Sequence, residues 1–357
     1  MSDLRMAVVG VGALGRHHAR ILGGMAGVNL VAVADSHAER GQAVAGQCGC
    51  RWVADYRELA GEVDAVSVVV PTVAHREVGG FFLERGIPVL VEKPLADHDA
   101  SGTELVELAE RMGVALQVGH IERFNPAFVA AAPWLAGARY IRAERTSPYT
   151  FRSTDIGVTL DLMIHDIDLV LSLVRSPLQN ASAFGAGVMG GHEDAVQARL
   201  VFENGAIADL TASRVSPVVS RSLQVWSASG CVTVDLNKRE VSRYVPSPAL
   251  VHGPSPLELS RQPGADIEQL KKDVFGRFIQ VETTAVPASD ALTAELQSFV
   301  HAVVTKTAPP IDGRQALAAL EVATAVQKSL AGHRWDATHV GIASPQQAVA
   351  TPQRKAG

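Results

Sequence analysis

The chain has 357 residues, more than one ordinary hydrophobic core accommodates, and this favours two domains. Hydrophobic residues make up 47% and charged residues 19%, and the net charge is −5, so the chain lacks the basic surface expected for nucleic acid or an anionic membrane. The three cysteines, Cys48, Cys50 and Cys231, are too few for a disulfide framework and match no zinc spacing, which excludes a disulfide-stapled secreted domain.

The N-terminal segment "MSDLRMAVVGVG" enters a strand directly and shows no signal-peptide pattern. The longest apolar stretch, around 156–174, contains Asp161, His165, Asp166 and Asp168, which a bilayer would not accept cheaply. We therefore expect a cytoplasmic protein with no membrane or nucleic-acid partner.

Short β-branched runs alternate with helical stretches over the first 120 residues. The runs read "RMAVV", "NLVAVA", "AVSVVV", "PVLVE" and "ALQVG". Near-continuous apolar strands separated by helices are typical of a parallel sheet covered on both faces. The first half is thus predicted to be a doubly wound α/β domain, with bounds of 1–122.

A glycine-rich turn follows the first of these strands. In "MAVVGVGALGRHHARIL", three glycines have G-x-G-x-x-G spacing between a strand and a helix, and the next strand ends at an acidic residue. Such a turn holds a pyrophosphate, and the acidic residue accepts hydrogen bonds from the ribose and disfavours a 2′-phosphate. This predicts NAD, preferred over NADP, although Ser36 and Arg40 could soften the preference. The predicted cofactor-binding residues here are Gly10, Gly12, Ala13, Leu14, Gly15, Asp35, Ser36 and Arg40, whereas His17 and His18 are assigned only to the helix.

The pattern changes after Pro126. Residues 138–285 contain alternating segments such as "VQARLVFENG", "AIADLTASRV", "SLQVWSASG", "VTVDLNKREV" and "FIQVETTAV", which predict an open, mainly antiparallel sheet. One helix is predicted at 157–175, a mobile loop at 245–264, closing helices at 291–307 and 313–331, and a disordered tail at 341–357. The second, α+β domain is predicted to span 123–289, with the closing helices in 290–335. The uncovered face of its sheet is expected to be apolar, because strands such as "AIADLTASRV" present apolar residues toward it, and this predicts a homodimer or homotetramer joined through the sheet.

The helix "DLMIHDIDLVL" carries an unusual polar group. At about 100° per residue, Asp161, His165 and Asp168 fall within about 60° of one another, whereas Asp166 lies about 140° from Asp161. A solvated helix stripe is the simplest explanation, but such stripes are usually built from Glu, Lys, Gln and Arg, and this helix has none of them. The composition leaves both a structural and a chemical role open.

Three further stretches complete a pattern: "VVPTVAH", "VLVEKPLA" and "VGHIERFNPA". With the glycine turn and the Asp161–His165 helix in this order, residues 4–335 resemble the family of glucose–fructose oxidoreductase, inositol dehydrogenase and related NAD-dependent sugar dehydrogenases. The resemblance implies a Rossmann domain joined to an α/β domain and a sugar site in the cleft between them, without a metal. It further implies a cis Lys93–Pro94 bond, a nicotinamide end bound near Thr72, His75 and Glu92, and Lys93 entering the active site. Pro71 and Lys93 are also predicted to bind the cofactor.

The resemblance also implies catalytic roles. Asp161 and His165 match the family's second-domain motif, so His165 would be the general base, oriented or assisted by Asp161, and Lys93 would stabilise the reacting oxygen. Asp168 would stay structural. The implied substrate-binding residues are Lys93, His120, Arg123, Tyr149, Asp161 and His165.

The segments "GHIERFNPA" and "RAERTSPYTFRSTDIGVTLDLMIHDIDLVL" look most like members that oxidise the 3-hydroxyl of UDP-N-acetylglucosamine for lipid A or surface polysaccharides. Arg123, Arg145 and Arg152 are the candidates for contacting a diphosphate. Many members have a glycine cluster before the catalytic helix, but this chain has only Gly157 there. The alternatives are a dehydrogenase of a free sugar, inositol or amino sugar, an NAD-dependent glycosidase and a non-catalytic NAD-binding regulator.

Overall fold

The computed structural model describes residues 3–151, 153–336 and 339–344, so Arg152 and most of the predicted tail lie outside the described residues. The chain divides into two compact units. The first consists of the residues up to Phe124 together with Asp290–Ala325, and the second of Asn125–Ser289 together with the residues from Val326 onward.

The strands and helices are numbered here in chain order. The strands are β1 Leu4–Val9, β2 Val28–Ala34, β3 Arg51–Val53, β4 Ala65–Val68, β5 Val89–Glu92, β6 Leu116–Gly119, β7 Tyr140–Thr146, β8 Leu178–Ala186, β9 Ala195–Phe202, β10 Ile207–Ser213, β11 Ser220–Ser227, β12 Gly230–Asp235, β13 Glu240–Pro246 and β14 Ile279–Thr284. The helices are α1 Gly15–Gly23, α2 Ala38–Cys48, α3 His75–Leu83, α4 Asp99–Met112, α5 Pro126–Ala131, α6 Ile164–Val174, α7 Pro248–His252, α8 Pro256–Ser260, α9 Ile267–Asp273, α10 Ala291–Thr305 and α11 Gly313–Gly332.

The first unit is built on a parallel sheet with strand order β3-β2-β1-β4-β5-β6. Successive residues of its strands point to opposite faces, and both faces are buried: Val8 packs with Leu22 and Phe299 on one side, and Val9 packs with Phe82 on the other. The predicted doubly wound α/β fold is therefore confirmed. The three-residue strand β3 was not predicted from the sequence.

The second unit contains an eight-stranded sheet with order β14-β13-β12-β11-β7-β10-β9-β8. Among the strand pairs of this sheet that the structure describes, only β7–β10 is parallel, which confirms the predicted mainly antiparallel sheet. Helix α6 packs on one face, to which β10 contributes the buried residues Ala208, Leu210 and Ala212. The alternate residues Asp209 and Thr211 belong to the opposite face. This face is polar, so the expectation of an apolar face was wrong.

The proline-rich segment 245–264 differs from the predicted loop because it contains the short helices α7 and α8. Both begin with a serine cap followed by proline: Ser247 accepts the N–H of Leu250, and Ser255 accepts the N–H of Glu258. Serine at the N-cap and proline at the next position both favour the start of a helix. The Ser-Pro pairs therefore indicated two helix starts, although the high proline content of the segment suggested a loop.

The described start of the predicted tail is also structured. Ala343 donates a hydrogen bond to the carbonyl of Gly185 and accepts one from the N–H of Gly187, at 2.9 and 2.8 Å. The prediction of disorder is therefore wrong at Ala343, and residues 345–357 lie outside the described part of the chain. Within the described residues no helix has the length and apolar character needed to cross a membrane.

Candidate active site

The glycine turn between β1 and α1 has the shape that a dinucleotide requires. Gly10 has a φ of +84°, and a Cβ atom there would overlap the carbonyl of Val69, while a Cβ atom at Gly15 would overlap the carbonyl of Gly10. A Cβ atom at Gly12, in contrast, would have no atom within 4 Å. The first and third glycines thus serve chain packing, and the second leaves space for a pyrophosphate. Ala13 and Leu14 complete the turn and are exposed.

Asp35 follows the end of β2 and is almost saturated with donors. Its Oδ2 accepts the N–H of Val11 and Nε of Arg40, and its Oδ1 accepts the N–H of His37 and Nη2 of Arg40, at 2.7–2.9 Å. Burial alone would raise the pKa of Asp35, but the Arg40 guanidinium and the two N–H groups lower it. The carboxylate is therefore ionised, and a ribose hydroxyl would have to replace one of these donors. Arg40 is the donor able to leave, because its side chain is 46% exposed.

The segment after β4 supplies Pro71, Thr72 and His75. Pro71 is exposed and Thr72 is buried. The His75 ring is buried, with Nδ1 2.9 Å from the carbonyl oxygen of Pro94 and Nε2 3.0 Å from that of Val70. Burial lowers the pKa of His75, against the opposing effect of the two carbonyls, and this favours the neutral ring, which donates to one of them. His75 thus stabilises the turn after Lys93. Because the residue is buried and both ring nitrogens face main-chain carbonyls, direct contact with a nicotinamide is disfavoured.

The end of β5 carries Glu92 and Lys93, and the Lys93–Pro94 bond is cis, as the resemblance implied. Glu92 Oε1 lies 3.1 Å from Nε2 of His18, and Oε2 accepts the N–H of Lys93 at 3.3 Å. Nδ1 of His18 in turn lies 2.9 Å from the hydroxyl oxygen of Ser67. The sequence analysis missed this buried histidine. Its spacing from the apolar Ala19 and Leu22 on one side of α1 was the available signal that it faces inward.

In the second unit, a π-helical turn at Thr159–Met163 leads into α6. The N–H of Ile164 donates to the carbonyl of Thr159, five residues earlier. Met163 and Ile164 are fully buried, whereas Asp161 and His165 are only half-buried. The two proposed catalytic side chains therefore occupy the less buried positions of an otherwise apolar segment, and π turns are frequent at functional sites.

The other two acidic residues of this helix are buried. Asp166 is 3% exposed and accepts hydrogen bonds from Arg145 on β7, and Asp168 is also 3% exposed. This arrangement removes Arg145 from the candidates for a diphosphate ligand, because its guanidinium is buried and engaged by a carboxylate. Asp168 has the burial expected of the structural role assigned to it.

The start of the helix is held by Glu193, which the sequence analysis did not identify. Glu193 Oε1 accepts the N–H of Thr159 at 3.2 Å, and its carbonyl accepts the N–H of Val158 at 2.9 Å. A Cβ atom at Gly157 would overlap the Glu193 carboxylate. The single glycine in front of the helix thus makes room for a carboxylate at the helix N-terminus, where negative charge is stabilised.

The remaining candidates are in varied settings. His120 has no exposed surface, which disfavours direct contact with a substrate. Arg123 donates to Oε1 of Gln315 at 2.9 Å. Tyr149 packs edge to face on Phe151, with ring centroids 5.0 Å apart. Among the described residues, no group of three or more His, Cys, Asp or Glu is arranged to hold a metal ion.

Comparison with known proteins gives matches over both units. Residues 4–120 match an oxidoreductase family with an NAD-binding Rossmann fold, and residues 130–233 match the GFO/IDH/MocA C-terminal domain. UDP-N-acetylglucosamine 3-dehydrogenase from Acidithiobacillus ferrooxidans is 32% identical over 335 residues, covering 92% of this chain and 99% of that protein. Inositol 2-dehydrogenase from Rhizobium meliloti is 26% identical over 349 residues, covering 93% of this chain and 98% of that protein.

Solved structures agree with these sequence matches. A structure of the Acidithiobacillus ferrooxidans UDP-N-acetylglucosamine 3-dehydrogenase superposes with a TM-score of 0.79 at 29% identity, covering 92% of this chain and 98% of that one. The glycine turn and Asp35 fit a dinucleotide, and the matched family is described as having an NAD-binding Rossmann fold. The chain therefore belongs to the GFO/IDH/MocA family of NAD-dependent oxidoreductases.

Proposed function

We propose that this protein oxidises a secondary hydroxyl of a sugar with NAD, and that its substrate is UDP-N-acetylglucosamine, oxidised at the 3-hydroxyl. The observation that carries the proposal is the presence in one chain of the NAD-binding turn, Lys93 at the end of β5, and Asp161 and His165 at the half-buried positions beside a π turn. A regulator that had lost activity would not need to retain both the lysine and the histidine.

The proposed mechanism assigns one task to each side chain. His165 takes the hydroxyl proton, since imidazole is the side chain whose ordinary titration range lies closest to neutral pH. Lys93 donates a hydrogen bond to the same oxygen and stabilises its developing negative charge. Asp161 orients His165 or accepts a hydrogen bond from a neighbouring substrate hydroxyl. NAD, when bound, supplies the hydride acceptor.

The nucleotide-sugar substrate is supported by similarity. The relative that acts on UDP-N-acetylglucosamine matches nearly the whole chain at 32% identity. Arg123 and Tyr149 are the proposed contacts to the diphosphate and its surroundings, because arginine binds phosphate oxygens in a bidentate fashion. The product, a 3-ketosugar, suits amination in lipid A or surface-polysaccharide synthesis in the cytoplasm.

Inositol or a free sugar is the second candidate substrate. It is favoured by the similarity to inositol 2-dehydrogenase from Rhizobium meliloti, which also extends over 93% of the chain. It is disfavoured by the segment before the catalytic helix, where "STDIGVT" has a single glycine.

The test is a substrate panel. Purified protein is incubated with NAD and, separately, UDP-N-acetylglucosamine, UDP-glucose, myo-inositol and glucose, while NADH absorbance is followed and any ketosugar is trapped. Because tightly held NADH could hide turnover, parallel samples contain 2-oxoglutarate as a recycling acceptor. We expect turnover with UDP-N-acetylglucosamine at least tenfold faster than with the others. Turnover of myo-inositol alone would replace the substrate assignment, and no ketosugar from any compound would contradict sugar oxidation.

We also propose that copies of the chain assemble as a dimer or tetramer through the open face of the eight-stranded sheet. Several strands contribute polar and charged side chains to this face, among them Arg142, Arg199 and Asp209. Such a face can form a wet, hydrogen-bonded interface. A monomer by light scattering at micromolar concentration would contradict the assembly.

A further inference from the structure

A buried chain of three polar side chains joins the cofactor helix to the lysine turn. Ser67 on β4 and His18 on α1 are 0% and 1% exposed, and Glu92 at the end of β5 is 13% exposed. His18 stands between the other two, with one ring nitrogen 2.9 Å from the Ser67 hydroxyl oxygen and the other 3.1 Å from the Glu92 carboxylate. His18 has no role in the proposed proton and hydride transfer, and no chemical role was predicted for it from the sequence.

The Glu92 carboxylate is held in one place. One oxygen contacts His18, and the other accepts the N–H of Lys93. A Cβ atom added to Gly119 on the neighbouring strand would come within 3.1 Å of the carboxylate, a tight contact that would require Glu92 to move by a few tenths of an ångström. The carboxylate is thus confined between α1 and β6, immediately beside the main chain of Lys93.

A buried carboxylate beside a lysine creates an electrostatic problem. Removing an ionised carboxylate from water is costly unless a partner compensates it. Burial would raise the pKa of Glu92, but the hydrogen bond from His18, followed by the electrostatic influence of His18, Lys93 and His75, lowers it. The ring of His18 contacts this carboxylate directly, with Nε2 3.1 Å from Oε1. If the His18 contact were removed, the Glu92 carboxylate would attract the Lys93 ammonium instead.

We propose that His18 is a positioning residue for Lys93. Anchored by Ser67, it satisfies the Glu92 carboxylate so that the Lys93 ammonium extends toward the reacting hydroxyl instead of folding back onto Glu92. Because His18 lies within the first turn of α1, which begins at the last glycine of the cofactor turn, the same contact keeps the lysine turn in register with the cofactor-binding helix.

The kinetic test rests on the proposed oxidation. His18→Ala is compared with His18→Gln, whose amide can still donate to Glu92, and with His17→Ala, the adjacent histidine of the same helix, as control. We expect His18→Ala to lower kcat by about a hundredfold, the cost of a small misplacement of a catalytic group. The KM of the sugar and the Kd of NAD should change less than threefold. The kcat of His18→Gln should be at least tenfold higher than that of His18→Ala, and His17→Ala should have the kcat of wild type.

The double variant His18→Ala/Glu92→Gln distinguishes an effect of the Glu92 charge from misfolding of His18→Ala. Removing the uncompensated charge should restore part of the thermal stability and of kcat lost in His18→Ala. Unchanged kcat in folded His18→Ala would overturn the proposal. So would a loss of kcat that His18→Gln does not relieve at all.

A second readout needs no substrate. The rate at which an amine-reactive acetyl ester labels Lys93 is followed by peptide mass spectrometry in the presence of NAD. We expect labelling of Lys93 to slow at least fivefold in His18→Ala and not in His17→Ala, because the ammonium is then held by Glu92. Equal labelling rates in wild type and His18→Ala would contradict the positioning role, even if the wild-type protein oxidises sugar. A slower rate in a protein that oxidises no panel sugar would retain the positioning and reject the proposed function.

Discussion

Arg145 and Asp166 form a buried ion pair that attaches α6 to the sheet of the second unit. Nη2 of Arg145 donates to Oδ1 of Asp166 at 2.8 Å, Nε lies 3.1 and 3.2 Å from the two carboxylate oxygens, and the side chains are 3% and 4% exposed. Since α6 carries His165, this pair fixes the position of the proposed base relative to β7.

Removing one partner should strongly destabilise the second unit. We expect Arg145→Met or Asp166→Asn to lower the free energy of unfolding by about 3–5 kcal/mol, because each leaves a buried polar group uncompensated. The exposed pair of Lys271 and Glu268 is the control, and Lys271→Ala should cost less than about 1 kcal/mol. Urea denaturation followed by circular dichroism measures both. A loss below 1 kcal/mol for Asp166→Asn would show that the pair does not anchor the helix.

Gly157 and Glu193 should be coupled energetically. Gly157→Ala pushes the Glu193 carboxylate away from the N–H of Thr159, which should cost about 1–2 kcal/mol, the usual value of a helix cap, and Glu193→Ala should cost a similar amount. The double variant should cost little more than either single one, because the carboxylate displaced by the methyl group is already absent. Additive losses in the double-mutant cycle would contradict this contact.

Protonation of Asp194 at low pH should lower the free energy of unfolding of the second unit. This fully buried carboxylate accepts the N–H groups of Val188 and Met189 and Nε of Arg214, each at 2.7 Å. Burial would raise the pKa of Asp194, but the N–H of Met189, Arg214 and the N–H of Val188 together lower it. A lowered folded-state pKa means that the stabilisation is complete above the ordinary aspartate range and disappears as the pH falls below it.

The difference in unfolding free energy between wild type and Asp194→Asn should therefore stay constant from about pH 7 to pH 5 and shrink as the pH falls from about 5 to 3. Glu268→Gln, at a side chain that is 75% exposed, is the matched control and should show a small, flat difference. A difference for Asp194→Asn that stays constant over this range would mean that its carboxylate is not preferentially ionised in the fold.

Much of the fold could be predicted because it follows from local patterns. The parallel sheet was evident from near-continuous apolar strands, and the glycine turn from spacing together with a strand before and a helix after it. Strand β7 lies within the region 138–285 predicted to form the second sheet, but its alternation is less clear than that of the quoted segments because its buried face includes Arg145, a charge. That charge is tolerated only because Asp166, twenty-one residues later, compensates it.

The site was harder to predict where it depends on contacts distant in sequence. A helical wheel of constant pitch cannot represent the π turn at Thr159–Met163, so the angle between Asp161 and His165 could only be approximate. Likewise, Glu193 and His18 reach their partners through tertiary packing. Nothing near either residue in the sequence identifies the N–H or the carboxylate that it meets.

Arg40 should influence the choice between NAD and NADP. Its guanidinium is bound to Asp35 and would have to leave for a ribose hydroxyl, whereas a 2′-phosphate would attract it. Arg40→Ala should therefore weaken NADP binding at least tenfold and leave NAD binding equal or slightly tighter, as measured by isothermal titration calorimetry. Arg51→Ala, at an exposed surface pair, is the control. Equal NADP affinity in Arg40→Ala and wild type would exclude the arginine from cofactor selection.

Lys93 and His165 should be required for turnover but not for NAD binding. Lys93→Ala and His165→Ala are each expected to lower kcat by about a thousandfold, because one removes the charge on the reacting oxygen and the other removes the base. The Kd of NAD should stay within threefold of wild type, since neither side chain holds the pyrophosphate or ribose. Exposed residues of the same types, Lys238→Ala and His301→Ala, serve as controls and should retain full activity. If either Lys93→Ala or His165→Ala turned over within tenfold of wild type, that residue would be removed from the mechanism, whatever the substrate proves to be.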